Sequence, residues 1–275
     1  MRRSTLYLAF TLFLTISCSL GCKKRSATST PENPESPSPV VPVVPKPPEP
    51  ESKRMTPQSL TAENQKIDLA YDADQILLTE IRQSNGTRER IIYKDKHHPK
   101  QYQRYLKDEL QYQVDYIMST EGLITRAIQN TVSAGGKVMT PMGAYDISYN
   151  DDKQIERVDW YDHQNMLQKS KTYSYNDGKL LTSAAVVIPK GNTETYDYDD
   201  KHGIFDQVPF LNVLALENEA FFLKNVQANL KHISNNSQPS EALSFELQYN
   251  TTGYPSAIKQ TNSSGKSSTY KINYK

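Results

Sequence analysis

Two cysteines carry the clearest chemistry in this chain. Cys18 and Cys22 are its only thiols. Both follow an apolar run from Leu6 to Ile16, which is itself preceded by Arg2 and Arg3. A basic start, an apolar stretch too short to span a bilayer comfortably and an exit through small residues read as an export signal. A cysteine at that exit is what a bacterial lipoprotein signal requires. Its thiol takes a diacylglycerol, the leader is cleaved, and the new N-terminus is acylated. Gly21-Cys22 is the favoured junction and Cys18 the rival. With Cys22 lipidated, no thiol remains for a disulfide, a zinc site or a nucleophile. Several acyl chains on one residue anchor stably, since each buried methylene contributes about 0.8 kcal/mol.

Other constellations point to simpler roles. Asp197, Asp199 and Asp200 place carboxylates at spacings that suit a hard cation, but without the glycine spacing of a calcium loop, so a polar hairpin end is expected. His97-His98 cannot both face one metal from an extended strand. Gln260 to Ser267 ends in Gly265-Lys266-Ser267 like a phosphate loop, but its first glycine is replaced and it lies between strand patterns. No His-Glu-x-x-His, Gly-x-Ser-x-Gly or dinucleotide fingerprint occurs. No catalytic residue, metal or cofactor is therefore expected. The net charge of +1 gives no electrostatic footprint for nucleic acid.

Two groups could meet a ligand or partner. Ile204, Phe205, Val208, Phe210, Leu211 and Leu214 crowd together with Phe221 and Phe222, out of character with the sequence around them. They are expected to fold over a sheet face and plug it; the sharper alternative is an exposed apolar lip. Tyr102, Tyr105, Tyr112, Trp160 and Tyr161 are candidates for an aromatic platform for sugars, or for plain packing against neighbouring strands.

These residues sit in a repeated template. Ile67, Leu69 and Tyr71 run into Asp72; Tyr145, Ile147 and Tyr149 into Asn150; Tyr173 and Tyr175 into Asn176; Tyr196 and Tyr198 into Asp199; Phe245, Leu247 and Tyr249 into Asn250. A period of two marks one face of a β-strand. The terminal tyrosines fall at 71, 93, 116, 149, 175, 198, 249 and 274, mostly 22 to 26 residues apart. That period fits one β-hairpin per repeat. Asn176-Asp177-Gly178, Asn150 to Gln154 and Asn250 to Tyr254 supply the turns. The doubled step between Tyr198 and Tyr249 implies a disguised repeat or an insertion, at about residues 200–240. A row of hairpins is stable where one is marginal, so about fifteen strands are expected in one curled antiparallel sheet.

The chain divides into a signal (1–21), a tether (22–64) and a β-repeat domain (65–275). Nine prolines between Pro31 and Pro50 favour an extended spacer, on the order of 60 Å long. The stretch from Ser52 to Glu63 lacks periodicity and joins the tether.

Strands that end in Tyr-Asp or Tyr-Asn, followed by a turn and a Leu or Ile, resemble the YD (Rhs) repeats of bacterial surface and toxin-shell proteins. The chain lacks the Gly and Arg that those repeats place around the Tyr. It is more similar to a group of uncharacterised Bacteroidota lipoproteins with degenerate YD-like hairpins. The likeness rests on the signal, the hairpins, and Tyr196-Asp197-Tyr198-Asp199-Asp200-Lys201 followed by Phe205. The resemblance covers roughly residues 65–275 and implies a fold, with no activity attached. The expectation is a non-enzymatic, lipid-anchored envelope protein, at the periplasmic or outer face of an outer membrane, that binds or scaffolds an envelope protein, glycan or lipid. A lipid or lipoprotein carrier with an apolar cavity inside the sheet is the alternative, and a hydrolase with a site built from distant strand ends comes third.

Overall fold

The computed structural model describes residues 55–275 except 97, 134, 137, 177–178, 188–189, 207, 219 and 225–227, with 179–187 and 190 described by backbone alone. The signal segment, Cys18, Cys22, the proline-rich stretch and His97 lie outside the described residues.

Sixteen strands run through the described residues. They are β1 Pro57–Ala62, β2 Gln65–Tyr71, β3 Leu78–Gln83, β4 Thr87–Asp95, β5 His98–Leu106, β6 Glu109–Met118, β7 Ile124–Val132 and β8 Met139–Tyr149. Then follow β9 Ile155–Asp162, β10 Leu167–Asn176, β11 Lys179–Val187, β12 Lys190–Tyr198, β13 Leu230–Asn235, β14 Leu243–Tyr249, β15 Pro255–Asn262 and β16 Ser267–Tyr274. Each pairs antiparallel with its sequence neighbours, as the hairpin repeat implies. The curled sheet also closes: Leu60 stands opposite Ile272 and Thr61 opposite Lys271, joining β1 to β16. The ring has one strand more than the repeat count suggests. The addition is β1, which lies in the segment that its lack of periodicity assigns to the tether.

The recurrent Tyr-Asx pair has two separable jobs. The Asx residue builds the turn. Asn150 accepts from the Gln154 N–H through its side chain at 2.8 Å, and its own N–H donates to the Gln154 carbonyl at 2.9 Å. Asn250 does the same with Tyr254, Asn262 with Lys266 and Asp162 with Met166. The residue three places on takes positive φ, as Lys153, Gly253, Gly265 and Asn165 do, which favours Gly, Asn and short loops. The tyrosine clamps the preceding strand. Tyr149 donates to the Ile124 carbonyl at 2.8 Å, Tyr175 to Ile155 at 2.8 Å, Tyr274 to Pro255 at 2.9 Å and Tyr93 to Leu78 at 3.0 Å. In each case the end of one strand is tied to the first residue of the strand before it.

Alternation sorts the side chains into an apolar lumen and a polar outer wall. Leu60, Ile67, Ile81, Val114, Tyr145, Val158 and Ile258 are at most 2% exposed. The positions between them carry outward ion pairs, including Lys66–Asp68, Arg126–Asp146, Arg157–Asp159 and Lys259–Glu246. A lipid-spanning barrel needs the reverse, an apolar outer band around a polar interior. No helix among the described residues is long and apolar enough to cross a membrane.

A ring of this many strands leaves a lumen too wide for its own wall to fill. The described residues between β12 and β13 fill it. They include helix α1 (Leu211–Glu217) and a one-turn 3-10 helix at Phe221–Lys224. Ile204, Phe205, Leu211, Leu214, Phe222 and Leu223 are at most 2% exposed and pack with the wall in one core. The insertion is shorter than the sequence pattern suggests, because β13 resumes the ring at Leu230. The doubled tyrosine step thus holds both an insertion and a disguised strand.

Candidate functional site

Among the described residues, two polar groups interrupt the apolar lumen, and each joins the plug to the wall. The first surrounds the end of α1. Glu89 on β4, Arg104 on β5 and Tyr112 on β6 stand in register across neighbouring strands. Glu217 closes the helix among them. It accepts from Tyr112 at 2.7 Å and from Tyr145 on β8, while Gln129 on β7 donates to the Tyr112 hydroxyl at 2.6 Å. The next residue, Asn218, donates to both oxygens of Glu89 at 2.7 and 2.9 Å. Burial raises the pKa of both carboxyls, against hydrogen bonds from Asn218 to Glu89 and from Tyr145 and Tyr112 to Glu217 that lower it. Burial also pushes the Tyr112 and Tyr145 phenols well up. The hydroxyls of Tyr102 and Tyr116 are buried beside this group, Tyr102 facing Glu89 and Tyr116 facing Tyr145 and Glu217.

The second group lies on β10 and β12. Lys171 donates to Glu194 at 3.0 Å, and Tyr196 donates to the same carboxylate at 2.5 Å. Lys224, from the plug, stands 5.5 Å from the centre of the Tyr196 ring. Burial opposes ionisation of Glu194, but Lys171, the Tyr196 hydroxyl and Lys224 together hold its pKa down to about 2. Beside this group Lys169 lies 4.8 Å over the Trp160 ring. A cleft of about 300 Å³ opens between Phe221–Lys224 and the wall.

The residues singled out by sequence divide clearly. Ile204, Phe205, Val208, Leu211, Leu214 and Phe222 are buried, with Phe210 and Phe221 half-buried beside them, so they line no exposed lip. Among the described residues, these same side chains occupy the space inside the sheet that a carrier would leave open. The aromatic candidates do not share a face. Tyr102 and Tyr112 point inward and meet edge to face at 6.3 Å, and Trp160 points inward onto Tyr145 at 5.9 Å. Tyr105 faces outward, its hydroxyl on Gln103 at 2.7 Å and Arg88 over its ring. Tyr161, one residue from Trp160, takes the face opposite to it. Period-two geometry separates residues one or three apart, so these five cannot form one platform. Of the three carboxylates, Asp199 ties the two ends of the plug, accepting from the Asn229 N–H at 3.1 Å and from Tyr249, whereas Asp197 faces Lys231 on β13 at 3.6 Å and Asp200 faces Lys201 at 3.8 Å.

Glu89, Arg104, Lys171, Glu194, Glu217 and Lys224 were not among those candidates. A signal existed for some. Glu89 alternates with Ile91 and Tyr93, and Glu194 with Tyr196 and Tyr198, so each sits in an inward phase. Glu217 ends an otherwise apolar helical run.

No family model matches the chain, and no curated protein does. Among solved structures, a porin-like protein from Bacteroides uniformis is 13% identical, with a TM-score of 0.54 over 80% of this chain and 96% of that one. A porin-like protein from Bacteroides vulgatus is 12% identical, with a TM-score of 0.37 over 80% and 98%. A TcdB2–TccC3 structure is 8% identical, with a TM-score of 0.24 over 72% and 11%. The first of these likenesses extends to the fold.

Proposed function

We propose that this protein is a lipid-anchored module of the bacterial envelope, at an outer membrane, whose β-barrel stands in water at the end of a proline-rich tether and acts by binding rather than by catalysis. The observation that carries the reading is the inversion of the barrel: charged ion pairs outside, an apolar plugged lumen inside. Such a barrel is suited to be held at a membrane by something other than its own wall. The signal-like N-terminus with Cys22, or Cys18, would supply that hold. The buried acids are 2% and 9% exposed, Glu89 on the wall facing the plug and Glu217 on the plug facing the wall. They serve better as a latch than as an acid–base pair open to substrate.

Metabolic labelling with palmitate and membrane fractionation test the anchoring. Label should be retained in Cys18→Ala and lost in Cys22→Ala, with the unlabelled protein released from the membrane fraction. Membrane retention that survives both substitutions would overturn the reading.

A further inference from the structure

The polar outer wall has an apolar sector. Ten large hydrophobic side chains stand exposed among the described residues, and six of them belong to the neighbouring hairpins β7–β8 and β9–β10: Ile128, Val138, Met139, Met142, Met166 and Leu167. Register makes the sector continuous. Ile128 stands opposite Ala144, Ala144 opposite Tyr161 and Tyr161 opposite Leu167, so one outward row crosses four strands without a charge. The next outward row is ion-paired, Arg126 with Asp146 and Arg157 with Asp159. That row lies toward the Tyr-Asx turns, so the apolar sector belongs to the opposite rim of the barrel.

The tips of that rim protrude. The Ser133 N–H closes the β7–β8 loop on the Val138 carbonyl at 2.9 Å. A Cβ placed on Gly135 or Gly136 within it would meet nothing within 4 Å, so the loop stands clear of the wall. Other described turns of the same rim are polar at their tips, as at Glu63-Asn64, Ser84-Asn85 and Ser263-Ser264. A contiguous exposed apolar patch marks an interaction surface, and unbranched, polarizable methionines adapt to whatever covers them. The chain itself brings a bilayer within reach. Its described part begins at the opposite end of the barrel, where Pro57 pairs with Tyr274. The proline-rich spacer before it, on the order of 60 Å long, exceeds the rise of about 30 Å along a strand such as β7. A lipid on Cys22 therefore leaves this rim free to meet the membrane that holds the chain, at the high effective concentration that tethering gives.

We propose that this rim docks the barrel on a lipid surface, with Val138, Met139, Met142, Met166 and Leu167 among the headgroups and upper acyl chains. The proposal rests on the anchoring reading above and deepens it: the tether keeps the domain near the bilayer, and the rim sets how the barrel stands on it. Apolar surfaces at an interface sink about 5–10 Å, and successive outward rows of a strand are about 7 Å apart. The row through Leu167 is then covered, and the ion pairs of Arg126 and Asp159 stay in water. The end of the barrel where the plug enters, at Asp199, faces away from the membrane.

Flotation with phosphatidylcholine vesicles decides it. The whole mature polypeptide, made without its signal and carrying Cys22→Ser, has no acyl chain, so only its own surface can hold it to lipid. It should float with the vesicles, and equally at low and high salt, since screening weakens charge pairing and not apolar burial. The double variant Met142→Gln, Met166→Gln should partition at least about tenfold more weakly, with its thermal melt unchanged. Leu167→Trp should give fluorescence that shifts to the blue on adding vesicles, over the constant background of Trp160 packed on Tyr145. Absence of flotation, equal flotation of the double variant, or a dimer that forms without lipid and is lost in the double variant would overturn the proposal. If the double variant does not fold, the Leu167→Trp shift decides alone. Each of these failures leaves the palmitate labelling of Cys22 unaffected, so loss of docking and loss of the anchor are read separately.

Discussion

Asn218, the residue that follows the plug's helix, donates to both carboxylate oxygens of Glu89 on the barrel wall, at 2.7 and 2.9 Å. The two are 129 positions apart in the chain, so this contact exists only when the plug is seated. Replacing Asn218 with Ala removes both bonds and leaves a buried acid poorly satisfied. The expected cost is about 1–3 kcal/mol, measured as a lowered urea midpoint with an unchanged slope.

Stability should respond to pH in two opposite ways. Glu89 and Glu217 have pKa values raised by burial above 4.5. The folded protein holds their protons more tightly than the unfolded chain does, so their contribution is complete below about pH 4.5 and is lost as pH rises through the folded values. Glu194, held down to about 2, does the reverse: its contribution is present above 4.5 and is lost as pH falls toward 2. Urea melts between pH 3 and 8 should show Glu217→Gln flattening the alkaline-side decline and Glu194→Gln flattening the acid-side one. A Glu217→Gln profile parallel to that of the parent would contradict the latch.

The tyrosine clamp predicts a small, repeated effect. Tyr149→Phe and Tyr175→Phe each remove one hydroxyl that reaches a backbone carbonyl, at 2.8 Å in both cases. Each should cost about 0.5–1.5 kcal/mol. Tyr149 stands opposite Ile155, the residue whose carbonyl Tyr175 binds, so the two sites adjoin and the double variant should show a coupling energy rather than strict additivity. Thermal melts of the two single variants and the double variant provide the check.

The contrast between what was legible in the sequence and what was not follows from range. The Tyr-Asx template could be read because its chemistry is local: Asn150 and Gln154 complete their turn within four positions. The inward phases of the strands could be read for the same reason. Strand β1 could not, because Pro57, Ser59 and Thr61 obey no clean alternation, and its partner comes from the far end of the chain, at Ile272. The role of the apolar insertion was only half legible. Its density was evident, but the need to fill a wide lumen follows from closure of the ring, which is a property of all the strands together. The latch of Glu89 with Asn218 spans 129 positions and lies equally beyond any local pattern. The aromatic platform failed on a point that strand period alone could have decided, since Tyr102 and Tyr105, or Trp160 and Tyr161, cannot share a face.

Gly143 on β8 marks a position where the wall tolerates no side chain. A Cβ built there would lie 1.9 Å from the Tyr161 carbonyl oxygen on β9, a backbone atom that cannot rotate away. Gly143→Ala must push β8 and β9 apart beside Trp160. The expected loss is about 2–3 kcal/mol, at the upper end of overpacking effects. The intrinsic fluorescence of Trp160, the only tryptophan, should shift to the red in the folded state. An unshifted spectrum with parental stability would mean that β8 and β9 are not paired at Gly143 and Asp162.

The last prediction concerns the limit of the folded domain. Sequence periodicity sets the start near residue 65, whereas closure of the ring requires Pro57–Ala62. Removing everything before residue 65 exposes an unpaired edge on β2 and another on β16, each a row of open donors and acceptors ready to pair with other chains. It also uncovers Ile67 and Ile272, both opposite Leu60. A chain starting at residue 65 should therefore aggregate or lose cooperative melting, whereas one starting at residue 55 should melt like the full mature polypeptide. The experiment separates a strand from a linker. If both truncations melt alike, β1 contributes nothing to closure and the tether does reach to residue 64.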